Sequence, residues 1–435
     1  MSSIQPAHAI AAIVGVACFL IYLAPAPDGW PPLAWQGLAV IMFPVVLWAT
    51  GVVPEYLPAL VLFFLAAVTD IASTGVIFSG FRSQAAWLVF AGIVIGQAVQ
   101  TTGLARRFVD VAARRFTGGY TQLVTGLAFT AFASAFLVPS AMGRAVLLTP
   151  IAVAIAERFG HDRNSPRYAG IVLATVLGST LPAFAILPAN VPNLVMTGAA
   201  EQIYGIEFSY SEYALLNLPV LGLASVFLSC IFIVVFFNNG DTGSAPSRSE
   251  QPAPERGQRI LGFILITTVA LWLTDTLHDI SPAWVALGAA LACLFPGIGV
   301  LKADEFVKTV NLGPWLFVTG IVGLGAIAAA VGIDDLAASH LDTLVPAGGF
   351  GAYLAIVFLG VGASVLTNHP AAPALVTPLA GPLADITGWS LPSVLYAQVP
   401  GWVVFPFAHQ VPPIVVALSL ANIPVRRVTV FFLGY

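Results

Sequence analysis

Long apolar runs separated by short polar breaks dominate the chain. Ten of them lie at about 9–24, 33–53, 56–72, 84–104, 168–188, 213–237, 259–274, 282–297, 314–332 and 391–407. A helix must cross about 30 Å of hydrocarbon, so uncharged runs near 20 residues predict transmembrane helices. Segments 120–159 and 350–385 are too long for one crossing and predict helical hairpins. The first is interrupted by Val138-Pro139-Ser140-Ala141-Met142-Gly143-Arg144, the second by Thr367-Asn368-His369-Pro370. Pro and Gly break helices, so the arms are expected to stop near mid-membrane. The competing reading is a long kinked helix packed by small residues.

Each hairpin precedes a span with a Pro-rich break. The first break is Leu187-Pro188-Ala189-Asn190-Val191-Pro192-Asn193, the second Pro406-Phe407-Ala408-His409-Gln410-Val411-Pro412-Pro413. Non-helical backbone at membrane depth survives only where protein buries it or where it lines a cavity. Broken helices expose half-helix N-termini, whose partial positive charge attracts anions. Four interruptions meeting near the midplane predict a transporter-like pocket.

The pattern occurs twice. Trp87-Leu88 returns as Trp315-Leu316, Gly92-Ile93-Val94 as Gly320-Ile321-Val322, Thr149-Pro150 as Thr377-Pro378, and Gly160 as Gly388, each 228 positions on. Charge sets the relative orientation of the copies. Fourteen of the 16 Lys and Arg residues fall in segments 105–118, 157–167, 238–259 and 298–313 and at Arg426-Arg427. Placing these in the cytoplasm satisfies the positive-inside rule. It leaves Glu201, Glu207, Glu212, Asp275, Asp279, Asp334, Asp335 and Asp342 outside. The first hairpin then enters from the cytoplasm and the second from outside.

The expected fold class is an all-α polytopic membrane protein of two inverted repeats, each with a re-entrant helical hairpin and a broken transmembrane helix. The expected organisation is a transmembrane helix within 1–32, a first repeat over 33–237, a cytoplasmic linker over 238–258 and a second repeat over 259–435. The first run lacks a positively charged leader and reads as a span rather than a signal peptide. The N-terminus is expected in the cytoplasm, and the location is a cell membrane of the bacterial inner type. The counterpart of span 213–237 begins near 424 and reaches Tyr435, too short to cross as a helix; a truncated chain or a shortened last span accounts for it.

Composition agrees. Only 8% of the 435 residues are charged, against about 25% in soluble proteins. The net charge of −4, without basic patches, gives no sign of a nucleic-acid partner. Cys18, Cys230 and Cys293 sit in apolar runs and read as packing residues. No nucleophile–base or metal-ligand set has enzyme-like spacing, so an intramembrane enzyme is disfavoured. The inverted hairpins favour alternating access over a channel.

On several motifs the chain resembles the divalent anion/sodium symporter family of the ion transporter superfamily. Trp87 to Arg107 is similar to that family's helix before the first hairpin, and Leu148-Thr149-Pro150-Ile151 to its Leu-Leu-Pro-Ile. Asn190-Val191-Pro192-Asn193 resembles its Thr-Pro-Pro-Asn break, and Ser281 to Leu287 the opening of its second half. The resemblance implies a homodimer in a lipid bilayer with an elevator-like transport domain. It also implies a dicarboxylate, tricarboxylate or sulfate-like substrate, with sodium as the usual coupling ion. The family's tips carry Ser-Asn-Thr, which holds the anion and lines sodium sites. Here Ser140 keeps the Ser, Ala141 and Met142 replace Asn and Thr, Arg144 replaces a second Thr, and Asn368 falls at the second tip. Weak sodium sites near Ser140 and Asn368 remain an expectation, resting on backbone carbonyls.

The candidate substrate-binding set is therefore Ser140, Ala141, Met142, Gly143, Arg144, Thr367, Asn368, His369, Asn190, Pro192, Asn193, His409, Gln410 and Pro412. A guanidinium holds a carboxylate through paired donors, so an anionic substrate is one counter-charge for Arg144. Snorkelling to water or pairing with a buried acid is the other reading, though no acid lies near the midplane of any span. His369 and His409 titrate near pH 6.5 when unperturbed and suit proton coupling, or else hydrogen-bond freed backbone. No cofactor is expected; Na+ or H+ is the candidate coupling ion, and a sodium-independent exchanger is the alternative to a symporter.

Overall fold

The computed structural model describes residues 6–104, 106–107, 119–138, 140–239, 254–297, 299–334, 336, 341–367, 369–404 and 411–434. Regular structure there is helical throughout. Four longer helices come first, with short turns at Thr74–Ile77 and Ser79–Arg82 before the last: α1 (Pro6–Leu23), α2 (Pro32–Thr50), α3 (Tyr56–Val68) and α4 (Gln84–Thr102). The first hairpin is α5 (Tyr120–Leu137) and α6 (Ala141–Arg158). The broken span follows as α7 (Pro166–Thr180), two 3-10 turns (Pro182–Ala185 and Leu187–Ala189) and α8 (Val191–Tyr204). A long helix, α9 (Tyr210–Phe237), closes this half.

After α10 (Arg256–Leu273) and α11 (Pro282–Leu294) comes α12 (Gly313–Ala330), the counterpart of α4. The second hairpin is α13 (Gly349–Leu366), α14 (Ala372–Val376) and α15 (Ala380–Thr387), followed by α16 (Leu391–Gln398), α17 (Pro412–Leu420) and α18 (Val425–Gly434). Among the described residues, seven helices are long and apolar enough to cross a membrane: α2, α4, α5, the continuous stretch Pro166–Ala185, α9, α10 and α12.

Several expected boundaries move. At the first tip the described residues Val138 and Ser140 are non-helical, and Ser140 caps α6 by accepting from the Gly143 amide at 3.1 Å. Met142, Gly143 and Arg144 thus form the first turn of a helix rather than part of the break. The first break begins earlier than Leu187, at Pro182, and Pro192 and Asn193 belong to the opening turn of α8. Proline tolerates that position, since the first-turn amides of a helix have no intrahelical partner. Each arm of the first hairpin is a continuous helix of 18 residues, about 27 Å long. Helix α10 starts at Arg256, so helix replaces the last residues of the expected linker. Positions Asn368, His409 and Gln410 and most of segment 105–118 lie outside the described residues.

Two compact units interleave along the chain. One comprises Met1–Val89, Pro192–Glu207 and Asn311–Val404; the other comprises Phe90–Val191, Phe208–Val310 and Phe405–Tyr435. Each draws on both sequence halves. The first unit is built around α12, with α2 and α3 against it. A Cβ at Gly320 would lie 2.3 Å from Ala59 Cβ, so only glycine permits this approach. The Phe317 ring meets Trp48 edge-on, with centroids 5.8 Å apart.

The second unit is built around α7, wrapped by α5, α6, α9 and α17. Every residue from Tyr168 to Asn190 is buried. A helix enclosed on all sides is apolar all round, and from Ala169 onward the α7 sequence obeys this except at Thr175, Ser179 and Thr180. Gly178 lets α5 come close: a Cβ there would stand 2.5 Å from the Ala128 carbonyl.

At one end of this unit, segments expected to share the cytoplasm are tied together. Arg167 donates to Asn238, Arg427 to the Arg163 carbonyl at 3.2 Å, and Gln258 to the Thr102 carbonyl at 3.0 Å. Two segments expected outside are likewise joined, through Asp275. Its Oδ2 accepts from the Tyr210 amide at 2.6 Å and the Ser209 hydroxyl at 3.0 Å, and its Oδ1 from the Ser211 hydroxyl. The carboxylate thereby caps the N-terminus of α9, where the helix dipole favours negative charge. Burial opposes its ionisation, but these donors outweigh burial and hold the carboxyl below its usual range.

Candidate functional site

The first break sits wholly inside the second unit, as buried irregular backbone requires. Ending α7 at Thr180 frees main-chain carbonyls that must find donors. Side chains supply them. Tyr213, on α9, donates its hydroxyl to the Phe184 carbonyl at 3.1 Å. Arg144 supplies more. Its Nε and Nη2 both donate to the Ser179 carbonyl, at 3.1 and 2.8 Å. Nη2 also donates to the Ala189 carbonyl at 3.1 Å, and Nη1 to the Val138 carbonyl.

One guanidinium therefore joins three chain ends: the end of α5, the end of α7 and the last 3-10 turn before α8. Its side chain is 0% exposed. No acidic side chain pairs with it among the described residues. Its charge is balanced by carbonyl dipoles at helix C-termini, which favour cations. Neither snorkelling nor an acid partner accounts for Arg144. Its planar fork of five donors suits several acceptors at once, which a lysine ammonium does not match.

The α6 tip is open on one side. Met142 is 38% exposed, and Ser140, Ala141 and Gly143 are half-buried. The accessible first turn of α6 is an anion-attracting helix N-terminus, and Arg144 lies at its inner side. Asn190, with extended backbone, is buried at the end of the break. Pro412, half-buried, opens α17, which packs on α6 and α7 in the same unit.

In the first unit the structure places Pro192 and Asn193, both buried, in the opening turn of α8. Thr367 ends α13, its hydroxyl donating to the Ala363 carbonyl at 2.6 Å. His369 is buried, with 3% exposure, in the turn before α14. The arm that follows is broken a second time, at Thr377–Leu379, between α14 and α15. The matched proline of the first hairpin, Pro150, stays inside a continuous helix. The second arm carries Pro373, Pro378 and Pro382 close together, and each removes an amide from the helical ladder. The carbonyls freed here also go to side chains: Gln398 Nε2 donates to the Val376 carbonyl at 3.0 Å, and the Tyr204 hydroxyl to the Pro378 carbonyl.

Ser179, Tyr213, Tyr204 and Gln398 were not candidates from the sequence. Three are single polar groups in apolar helices. Tyr204 ends a helix beside Gly205, which marks a boundary but no partner. No group of three or more His, Cys, Asp or Glu residues able to hold a metal occurs among the described residues.

Comparison with known proteins agrees with this architecture. A membrane protein of Cupriavidus necator is 25% identical over 338 residues, covering 71% of this chain and 65% of its own length. The citrate/succinate antiporter of Escherichia coli K12 is 24% identical over 229 residues, 46% of each chain. This chain thus spans less than two thirds of either relative. The crystal structure of the Alcanivorax borkumensis YdaH transporter superposes with a TM-score of 0.56 at 16% identity, covering 93% of this chain and 95% of that one. At that identity the likeness speaks for the fold alone. The sequence profile of the CitMHS family, described as citrate transporter, matches residues 45–399. This is a family of transporters rather than enzymes, and the chain described here belongs to it: it is a member of the citrate transporter family.

Proposed function

We propose that the protein is a secondary active carrier of small di- and tricarboxylates that exchanges one anion for another without a sodium gradient. The observation that carries this reading is Arg144, a buried cation at the root of an accessible helix N-terminus, held by the carbonyls of three chain ends. A fixed positive charge there does what a bound sodium does in the resembling symporters. The loss of Asn and Thr at Ala141 and Met142 supports the same view, as does the antiporter named among the relatives. The motifs shared with divalent anion/sodium symporters support the wider class.

In this reading a substrate carboxylate accepts from the first-turn amides of α6 at Ala141 and Met142 and from the Ser140 hydroxyl. The Arg144 charge acts through the low-dielectric interior, without touching the anion in the state described. Gly143, Asn190 and Pro412, of the same unit, complete this binding set; Pro192, Asn193, Thr367, Asn368 and His369 of the other unit, with His409 and Gln410, remain proposed substrate contacts on sequence grounds alone. Inverted repeats, re-entrant hairpins, elevator motion, a homodimer, a bacterial inner membrane and a cytoplasmic N-terminus belong to the same proposal. Proton coupling is the second reading, resting on the placement of His369 in the turn before α14.

A thermal-shift screen tests the proposal. Ligands that bind the folded state raise its melting temperature. Citrate, succinate, malate and tartrate are expected to stabilise the purified protein equally in sodium and in choline buffers. Stabilisation that appears only with sodium overturns the sodium-independent reading, and no stabilisation by any carboxylate overturns the substrate class.

A further inference from the structure

Helix α8 carries candidate binding residues at one end and Tyr204 at the other. The Tyr204 hydroxyl donates to the Pro378 carbonyl and accepts from the Gly381 amide at 3.0 Å. These are the two sides of the second break in the second hairpin, where α14 gives way to α15. Pro382 lacks the amide that would otherwise serve the Pro378 carbonyl, so the phenol takes over that carbonyl and also accepts from the Gly381 amide. The ring lies flat enough against the backbone that a Cβ at Gly381 would stand 3.3 Å from it. Gly325 of α12 completes the junction. A Cβ there would touch Ile203, Pro378 and Ala199 at 3.7–3.8 Å.

We propose that Tyr204 is a positioning residue, the clasp through which α8 fixes the bend of the second hairpin and with it the tip at Thr367–His369. The inference rests on the carrier reading for its functional consequence but not for its structural one. Helix α8 has 14 residues, about 20 Å of stiff rod. Its first turn holds Pro192 and Asn193, and its last residue grips the hairpin, all within one compact unit. Any displacement of the first turn on substrate binding is transmitted along the rod to the bend. Coupling of this kind needs a contiguous rigid element with a defined contact at each end, and α8 has both.

The test compares Tyr204→Phe with Tyr168→Phe. Tyr168 donates to the Ala421 carbonyl at 3.0 Å in the other unit, so both variants lose a tyrosine O–H bond to a main-chain carbonyl. Full-length protein in proteoliposomes is assayed for succinate counterflow, and amide exchange is followed for peptides spanning 376–384. Tyr204→Phe is expected to speed exchange of those peptides at least tenfold and to lower Vmax at least fivefold, with KM within twofold of wild type. Tyr168→Phe is expected to change neither. If Tyr204→Phe folds poorly, Gly381→Ala, which pushes the ring off the backbone, is expected to give the same exchange result. Wild-type exchange over 376–384 in both Tyr204→Phe and Gly381→Ala overturns the clasp. Faster exchange with unchanged Vmax overturns its role in transport. Should wild-type protein show no counterflow at all, the carrier reading fails, and the exchange data still decide whether the clasp exists.

Discussion

Arg144 donates twice to one acceptor, the carbonyl of Ser179, through Nε at 3.1 Å and Nη2 at 2.8 Å. Fork and carbonyl meet where α7 stops. A buried carbonyl left without a donor costs about 1–3 kcal/mol, and Arg144 serves those of Val138, Ser179 and Ala189. Arg144→Ala is therefore expected to destabilise the fold by about 3–5 kcal/mol. Arg144→Lys is expected to recover part of this, since an ammonium keeps the charge but loses the fork. Denaturant titration of the purified variants checks the order wild type, Lys, Ala.

Tyr213 performs the same service at one point. Tyr213→Phe leaves the Phe184 carbonyl without its donor while keeping the ring. The expected loss is about 1–2 kcal/mol, read as a lower melting temperature in detergent. No change in sodium dependence is expected, because the hydroxyl carries no charge into the site.

These two residues also mark how far the sequence could be read. Hydropathy located six of the ten expected spans as helices long and apolar enough to cross, because membrane length is a coarse constraint, whereas the helices at about 9–24, 56–72, 282–297 and 391–407 are shorter. Pro188 and Pro192 located the first break to within a few residues, although its start at Pro182 was missed. The partners of Arg144 were not legible. They are main-chain carbonyls, which every residue carries, and only the three-dimensional path of the chain selects Val138, Ser179 and Ala189. Nor was the π-helical turn at Leu218–Ala224, which changes the period by too little to alter an apolar pattern. The second break at Thr377–Leu379 had a signal in the proline spacing, but Pro150 at the matched position shows that one proline does not decide the outcome.

Close packing around α7 makes a sharper demand. Gly178→Ala would place a methyl 2.5 Å from the Ala128 carbonyl and 2.7 Å from its Cα. Overpacking of this kind costs about 1–3 kcal/mol. The variant is expected to show reduced yield of folded protein by size-exclusion profile, whereas Gly96→Ala, with open space at its Cβ position, is expected to behave as wild type.

Asp275 gives a pH dependence whose sign is fixed. Its folded-state pKa lies below the ordinary value because Ser209, Tyr210 and Ser211 donate to the carboxylate. The stability this confers is present above the unfolded-state pKa of about 3.9 and is lost as pH falls through the folded value. The melting temperature of wild type is expected to drop more steeply than that of Asp275→Asn below about pH 4. At pH 7 Asp275→Ala is expected to cost about 1–2 kcal/mol, the loss of a helix cap.

The central claim is that the charge of Arg144 stands in for a coupling sodium, and counterflow measures it most directly. Proteoliposomes loaded with unlabelled succinate are diluted into labelled citrate or succinate, with sodium replaced on both sides by choline. The account predicts trans-stimulated uptake of equal rate in the two cations, abolished in Arg144→Ala. Uptake that requires an inward sodium gradient, or wild-type rates in Arg144→Ala, would contradict it.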